Sequence, residues 1–386
     1  MGLTEELSAA KLTDDLVVDI LSRLPFKSFC RFKCVCKAWF AFSFDPHYCQ
    51  KLPKPPPTGF FYQDHNSTSI QLVSLSKTDE EIDGTFCFLP DYEQLKFVDC
   101  CNGLVLCKYR SNHTSPDIFR FIVCNPATRE WRTLPDTKLD PENSAYHSTK
   151  LGFDPSRSPH FYVFNFQHPR GPGHLVFGIN QVAMFSSCNS TWLVYNDLWD
   201  PENYVISVSD RPHVFLDGSL HVHSDHDVLV LDTYETVSTD IRPSHWTVKL
   251  PLHKVDCVVD RCFRGCLGQS SGILHYAAAE EDGRNITVWL HDYFDPVGWT
   301  IRYHLSMRDA LGRDDFVHYE DTWFWNCNYE IIALDLDREV IFLRDDMAKK
   351  LLSYSISSGK LDEITDDSHW YVYYAPSYLK LPELEH

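Results

Sequence analysis

Apolar residues recur with a helical period from Leu12 to Phe42, and beyond residue 58 that period gives way to short alternating runs. In LTDDLVVDILSRLPFKSFCRFKCVCKAWFAF, Leu16, Val17, Ile20, Leu21 and Leu24 fall at i, i+1, i+4, i+5 and i+8, one stripe of a helix. The pattern predicts a first helix from about Asp14 to Pro25, with Asp14, Asp15 and Asp19 biased toward the positive end of its dipole. Pro25 suits the first turn of a second helix, where its missing donor costs nothing. Phe26, Phe29 and Cys30 give that helix its stripe, and Phe32, Val35, Cys36, Trp39 and Phe40 give a third, with a boundary near Val35.

Roughly forty residues are near the lower limit for a domain that stands alone, because small chains bury too little of their surface. Three short helices with this much apolar surface should therefore need something else to complete their core. Five stripe residues at ~1.5–3 kcal/mol each supply roughly 10 kcal/mol when fully buried. Association itself costs ~4–15 kcal/mol, so helix one alone would not bind tightly. A partner must also take residues from the later helices, with Trp39 the natural aromatic anchor. The competing reading is a self-contained bundle or helix-turn-helix whose stripes pack inward.

The run KLPKPPPT, residues 51–58, cannot continue a helix and favours an extended, semi-rigid spacer. Beyond it, β-branched and aromatic runs are separated by Asp, Asn, Gly and Pro. Strand candidates include Gly59–Tyr62, Leu104–Tyr109, Phe119–Cys124, Phe161–Phe166, Val182–Ser186, Tyr204–Val208, Leu220–His223, Ile286–His291 and Leu352–Ile356. No long amphipathic helix interleaves them, which argues against a parallel α/β sheet. Asn102-Gly103, Asp217-Gly218 and Ser271-Gly272 each precede an alternating strand, and Trp131 and Trp299 stand alike after a polar turn. Gly103 to Gly218 fits two units and Gly218 to Gly272 one, at ~40–50 residues per unit if loops vary. The fold class expected is a multidomain α+β chain, a small three-helix module at 8–50 followed by an all-β propeller-like domain at 59–381, with about six or seven units. A large two-sheet sandwich is the alternative. Ring closure should pair Gly59–Tyr62 with the run Trp370–Tyr374, because closure removes exposed edges.

Charge narrows the partners. Lys plus Arg number 35 against 54 Asp plus Glu, a formal net charge of -19, which opposes binding to nucleic acid or anionic membrane. The opening MGLTEELSAAKL has neither the basic nor the apolar region of a secretory leader, and no stretch approaches a membrane span, so the cytoplasm or nucleus is the expected setting. The 14 cysteines then read as small buried thiols, without a disulfide framework.

The segment L-T-D-D-L-V-V-D-I-L-S-R-L-P, followed by V-C-K-A-W, resembles the F-box motif over about Leu12 to Tyr48. The resemblance implies docking on a Skp-type adaptor of a cullin-RING ubiquitin ligase, with the rest of the chain selecting a protein target and no chemistry or cofactor of its own. Carried over by position, the adaptor-binding set is Leu12, Asp15, Leu16, Ile20, Leu21, Leu24, Pro25, Val35, Cys36 and Trp39. Thr13 stands where the family usually has proline, although threonine can still cap a helix. Cys101-Asn-Gly-Leu-Val-Leu-Cys107 and Asn125-Pro-Ala-Thr-Arg-Glu-Trp131 resemble the F-box-associated repeats of plant F-box proteins, which implies a Kelch-like, propeller-type domain. An F-box protein can also serve as an adaptor-bound scaffold without turnover of a target.

Rival chemistry has three footholds. Gly268-Gln-Ser-Ser-Gly272 matches the nucleophile elbow, which would make Ser270 the nucleophile of a hydrolase, although no α/β scaffold surrounds it. His221 and His223, on one face of a strand, could hold zinc with His226, Asp225 and Asp227, and Cys30, Cys34, Cys36, His47 and Cys49 have zinc-like spacing. A glycine turn, strand-end histidines and core thiols are the preferred accounts, so no metal is expected. Recognition chemistry is expected on the loops Asn196–Tyr204, Asp292–Trp299 and His318–Trp325, unless their tryptophans only cover strand ends.

Overall fold

A computed structural model describes residues 12–33, part of 35–53 and most of 59–384. In that last range, 64–68, 76–81, 83, 91, 111–118, 138–145, 169–177, 197–210, 225–226, 234–243, 252–264, 293–297, 322–323, 366–369, 380 and 382 are outside the described residues. Helix α1 runs Asp14–Ser22 and α2 Phe26–Lys33. Thr13 has the extended backbone of an N-cap and its carbonyl accepts the Val17 N–H at 3.0 Å, but its hydroxyl makes no capping hydrogen bond. Asp14 and Asp15 in the first turn are left to balance the dipole, which corrects the expectation of a threonine cap. Most of the expected third helix, including Cys34, Cys36 and Phe40, lies outside the described residues, so two helices rather than three are described for this module.

Val17, Val18, Leu21, Phe29, Phe42 and Leu52 form the module's own core, with Leu24, Trp39 and Tyr48 packed against it. Leu52 is buried there, and Lys51 N–H bonds to the Tyr48 carbonyl at 2.9 Å. The start of the expected linker is therefore part of the helical module, while 54–58 lie outside the described residues.

The remainder is an all-β propeller of six blades among the described residues. Its strands begin with Gly59–Gln63 (β1) and Ile70–Ser74 (β2) of blade one. Blade two holds Lys96–Cys101 (β3), Leu104–Arg110 (β4), Phe119–Asn125 (β5) and Glu130–Thr133 (β6). Blade three holds Tyr146–Phe153 (β7), Phe161–His168 (β8), Gln181–Ser186 (β9) and Thr191–Asn196 (β10). Blade four holds Val214–Leu216 (β11), Ser219–Ser224 (β12), Asp227–Asp232 (β13) and His245–Lys249 (β14). Blade five holds Cys266–Ser270 (β15), Ile273–Ala279 (β16), Asn285–His291 (β17) and Trp299–Ser306 (β18). A short helix Met307–Leu311 (α3) and a hairpin of Val317–Asp321 (β19) and Phe324–Cys327 (β20) precede blade six. Blade six holds Tyr329–Asp335 (β21), Val340–Asp345 (β22), Lys350–Ser355 (β23) and Leu361–Thr365 (β24), and Tyr371–Tyr374 (β25) returns to blade one. The strand candidate Tyr204–Val208 lies outside the described residues.

Asn102-Gly103, Asp217-Gly218 and Ser271-Gly272 all take positive φ at both residues and join the first strand to the second in blades two, four and five. That is the two-residue turn whose twist matches a hairpin, and it explains the glycine intervals of two units and then one. The first strands line up around the ring in the order β25, β3, β7, β11, β15, β21 and back to β25. Each sheet buries both faces against its neighbours, which is why β12 is buried at every residue and β8 at all but one.

β1 pairs antiparallel with β25 from Gly59↔Tyr374 to Tyr62↔Tyr371, the closure expected from the sequence. Successive side chains on a strand face opposite ways, and β1 uses this to join two interfaces. Phe60 packs edge-on against Phe342 of blade six, ring centres 5.0 Å apart, while Phe61 meets Phe86 at 5.2 Å and Phe97 at 5.7 Å on the blade-two side. Both phenylalanines are wholly buried. Phe60→Ala or Phe61→Ala should each lower unfolding free energy by ~3–5 kcal/mol in denaturant titrations. Amides of β1 and β25 should exchange with deuterium together; fast exchange in one alone contradicts closure.

Candidate functional site

α1 is apolar on two sides. Val17, Val18 and Leu21 face the module's core, whereas Leu12, Leu16, Ile20 and Val35 are 59%, 53%, 51% and 62% exposed. Leu16 and Ile20 are one helical turn apart and so form a continuous outward ridge. Asp15 and Pro25 are exposed as well. Of the other residues expected at the docking face, Leu24 and Trp39 are half-buried against the module's core and Cys36 lies outside the described residues. Leu21, at 1% exposure, belongs to the interior instead. Trp39 stacks on the partly exposed Phe32 with ring centres 5.5 Å apart, which sets its plane. Covering the four exposed side chains would bury about half of each, worth ~3–6 kcal/mol in total at ~1.5–3 kcal/mol per full burial. This is below most of the association cost of ~4–15 kcal/mol, so the ridge needs neighbours such as Pro25 and Trp39 to hold a partner.

The propeller's tempting sites are already engaged. Ser270 ends β15, and the turn after it leads into a strand, not the helix that an elbow requires. Its hydroxyl donates to Asp337 Oδ1 at 2.7 Å, a contact between blades five and six. Gly268 sits in that strand because Leu334 presses on it: an added Cβ would come within 2.8 Å of the leucine side chain. The hydrolase reading is left without its scaffold.

His221 and His223 are buried on β12. His221 Nδ1 lies 3.1 Å from the Ser219 carbonyl, and the His223 ring lies 5.9 Å from that of Tyr276 in blade five. Burial pushes His221 down to about 4, helped by the neighbouring His291 imidazole and opposed by hydrogen bonds to the Ser219 and Val214 backbones. His226 and Asp225 lie outside the described residues. Among the described residues, no group of three or more His, Cys, Asp or Glu is arranged to hold a metal ion. Cys101 and Cys266 are buried thiols pushed up to about 12 by desolvation, and Cys107 and Cys124 are raised by the same cause. Such thiols are poor nucleophiles and poor ligands. The side chains of Cys30, Cys34, Cys36 and Cys49 lie outside the described residues.

A polar arrangement not foreseen from the sequence ties three blades together. Asp99 Oδ2 on β3 accepts the Leu151 N–H of β7 at 2.7 Å, and His213 Nε2, just before β11, donates to the Leu151 carbonyl at 2.6 Å. Lys150 Nζ donates to the Arg211 carbonyl at 3.1 Å. Burial lowers His213 even beside the Asp99 carboxylate, consistent with a neutral ring donating through Nε2. These buried polar groups clamp inner strands rather than line a reaction centre.

The recognition loops divide. Trp299 is buried and its indole donates to the Lys249 carbonyl of blade four at 2.7 Å, as Trp192 does to Pro135 of blade two at 2.8 Å, so both cover strand ends. Most of Asn196–Tyr204 lies outside the described residues. The segment His318–Trp325 falls in the hairpin of β19 and β20, and the connection leading into that hairpin is tied to blade six by a two-pronged pair from Arg313 to Asp345 at 2.9 and 3.1 Å.

The family model described as F-box domain matches residues 10–50, and the one described as F-box associated beta propeller domain matches residues 59–377. The F-box protein At5g07610 of Arabidopsis thaliana is 26% identical over 318 residues, covering 76% of this chain and 70% of that protein. The F-box protein At5g49610 of the same plant is 26% identical over 217 residues, 55% of this chain and 58% of that protein. Among solved structures, a quinonprotein alcohol dehydrogenase-like protein from Bacteroides thetaiotaomicron aligns over 83% of this chain and 78% of its own at 10% identity, with a TM-score of 0.38.

Ser270→Ala should cost ~0.5–1.5 kcal/mol of stability by removing the hydrogen bond to Asp337, whose exposed carboxylate water can still reach, and ester hydrolysis should be absent before and after the change. A serine-dependent activity would contradict this. His221 binds a proton more weakly folded than unfolded, so its stability contribution is complete above pH ~6.5 and lost as pH falls toward about 4. The loss is on the order of 3 kcal/mol from this ring. Denaturation midpoints should fall between pH 7 and 4.5, less steeply in His221→Gln; an unchanged slope would contradict the assignment.

Proposed function

The chain belongs to the F-box proteins that carry an F-box associated beta propeller domain, and from that premise we propose that it is the target-recognition subunit of a Skp-cullin-F-box ubiquitin ligase. The adaptor docks on Leu12, Asp15, Leu16, Ile20, Pro25 and Val35, with Leu24 and Trp39 contributing at the edge of the face. The observation that carries the reading is the exposed ridge on α1, apolar surface that the module does not use in its own core. Exposed apolar patches of this kind mark binding surfaces. The propeller binds a protein target, and its closed ring gives the loops a fixed frame from which to do so. The hairpin of β19 and β20 is one such presenting element.

The chain contributes positioning, not bond-making: it holds a target within reach of the ligase. This fits the lack of a free nucleophile at Ser270, whose hydroxyl is committed to Asp337. The expected setting remains the cytoplasm or nucleus.

Leu16→Asp combined with Ile20→Asp tests the docking face. Both residues are outside the module's core, so the melting temperature should stay within a degree or two of wild type, while capture by a Skp-type adaptor falls at least tenfold. Undiminished capture by a folded double variant would refute the face.

A further inference from the structure

The segment after β25 lies on the propeller in the manner of a bound peptide. Asn125, fully buried at the end of β5, donates from Nδ2 to the Ser377 carbonyl at 2.9 Å and to the Leu379 carbonyl at 3.4 Å. Its Oδ1 accepts the Ala127 N–H at 3.1 Å, which fixes the amide in the orientation that reads those carbonyls. Gly103 lets the segment come close: a Cβ there would sit 2.3 Å from Ser377 Cβ. Leu381 and Leu384 are 4% and 8% exposed and join the cluster that contains Leu104, Phe121, Phe153 and Phe161 of blades two and three. A turn that bonds Leu384 N–H to the Leu381 carbonyl at 3.1 Å separates the two anchors, and His160 pairs with Glu383 between them.

None of this is needed to close the ring. β25 is complete at Tyr374, already paired with Gly59, and the match to the family's propeller ends at residue 377. The contacts combine main-chain carbonyls held by a preset amide, two apolar anchors three residues apart, and one carboxylate paired with an imidazole.

We propose that the face of blades two and three around Asn125, Gly103 and His160 is a peptide-binding site, and that Ser377, Leu379, Leu381, Glu383 and Leu384 of the chain's own C-terminal segment occupy it in cis as an internal competitor. The partner it fits is an extended protein segment with two leucines three positions apart and an acidic residue just before the second. A tethered segment has an effective concentration of ~mM, so if it binds in trans with a Kd of ~10 μM, a competitor's apparent affinity falls ~100-fold. A target would therefore have to displace the segment, or meet a chain in which it is already released. The proposal depends on the receptor reading only for what the competitor is, and its test omits the adaptor, so failure here leaves the α1 docking face untouched.

The test uses the full chain with Leu381→Asp and Leu384→Asp, which releases the segment, and a fluorescein-labelled peptide of residues 377–386 followed by anisotropy. The released chain should bind the peptide saturably with a micromolar Kd, the native chain at least tenfold more weakly, and His160→Ala in the released background should weaken binding severalfold. A folded released chain that ignores the peptide at millimolar concentration overturns the proposal. Deuterium exchange on the native chain decides independently of whether the variant folds. The Leu379 and Leu384 amides should exchange far faster than those of β4, whereas exchange as slow as β4 would make the segment a permanent strap and overturn the site.

Discussion

The pairing of β1 with β25 is the constraint on which the propeller depends. Among the described residues, every other blade is made from strands consecutive in sequence, and blade one alone is built from both ends of the domain. Without that pairing, β3 and β21 would each lose one of the two inner strands they pack against, since both touch β25. Phe60 and Phe61 set the orientation of the seam, one ring to each neighbouring interface. A closed ring leaves only short inner edges, one per blade and each flanked by the next blade, and its loops keep fixed relative positions.

The helical module solves a different problem. Its core is small: six buried apolar residues with three more packed partly against them, among the described residues. The surplus faces outward as Leu12, Leu16, Ile20 and Val35. A small module that leaves apolar side chains in water gains from any partner able to cover them, but the ridge alone contributes less than association costs, so specificity must come from a shaped groove around it. The propeller needs no such completion, because each blade supplies cover for the next.

Much of this was legible in the sequence, and the failures have physical causes. The change from a helical to an alternating period located the boundary between modules, and glycine turns marked blades two, four and five because a two-residue hairpin turn needs left-handed backbone at both positions. Periodicity could not say which side of α1 faces inward. Leu16 and Leu21 belong to one stripe on paper, yet one is half exposed and the other buried. Strands β3, β7 and β15 escaped notice because the innermost position carries polar residues with tertiary partners: Asp99 held by the Leu151 N–H, Lys150 by the Arg211 carbonyl, Ser270 by Asp337. Those partners come from neighbouring blades, far away in sequence, so the strands do not read as apolar. Ser270 also makes Gly268 to Gly272 resemble a catalytic turn, whereas the structure uses the stretch as an ordinary hairpin.

The central claim is that one side of α1 is finished by the protein itself and the other by a second protein. Hydroxyl-radical footprinting of the full chain, free and saturated with a Skp-type adaptor, tests it residue by residue. The account predicts that oxidation of Leu12, Leu16, Ile20 and Val35 falls sharply on binding, while Val17, Val18 and Leu21 are protected in both states. Protection that appears on the propeller instead, or an unchanged pattern on α1, would contradict it.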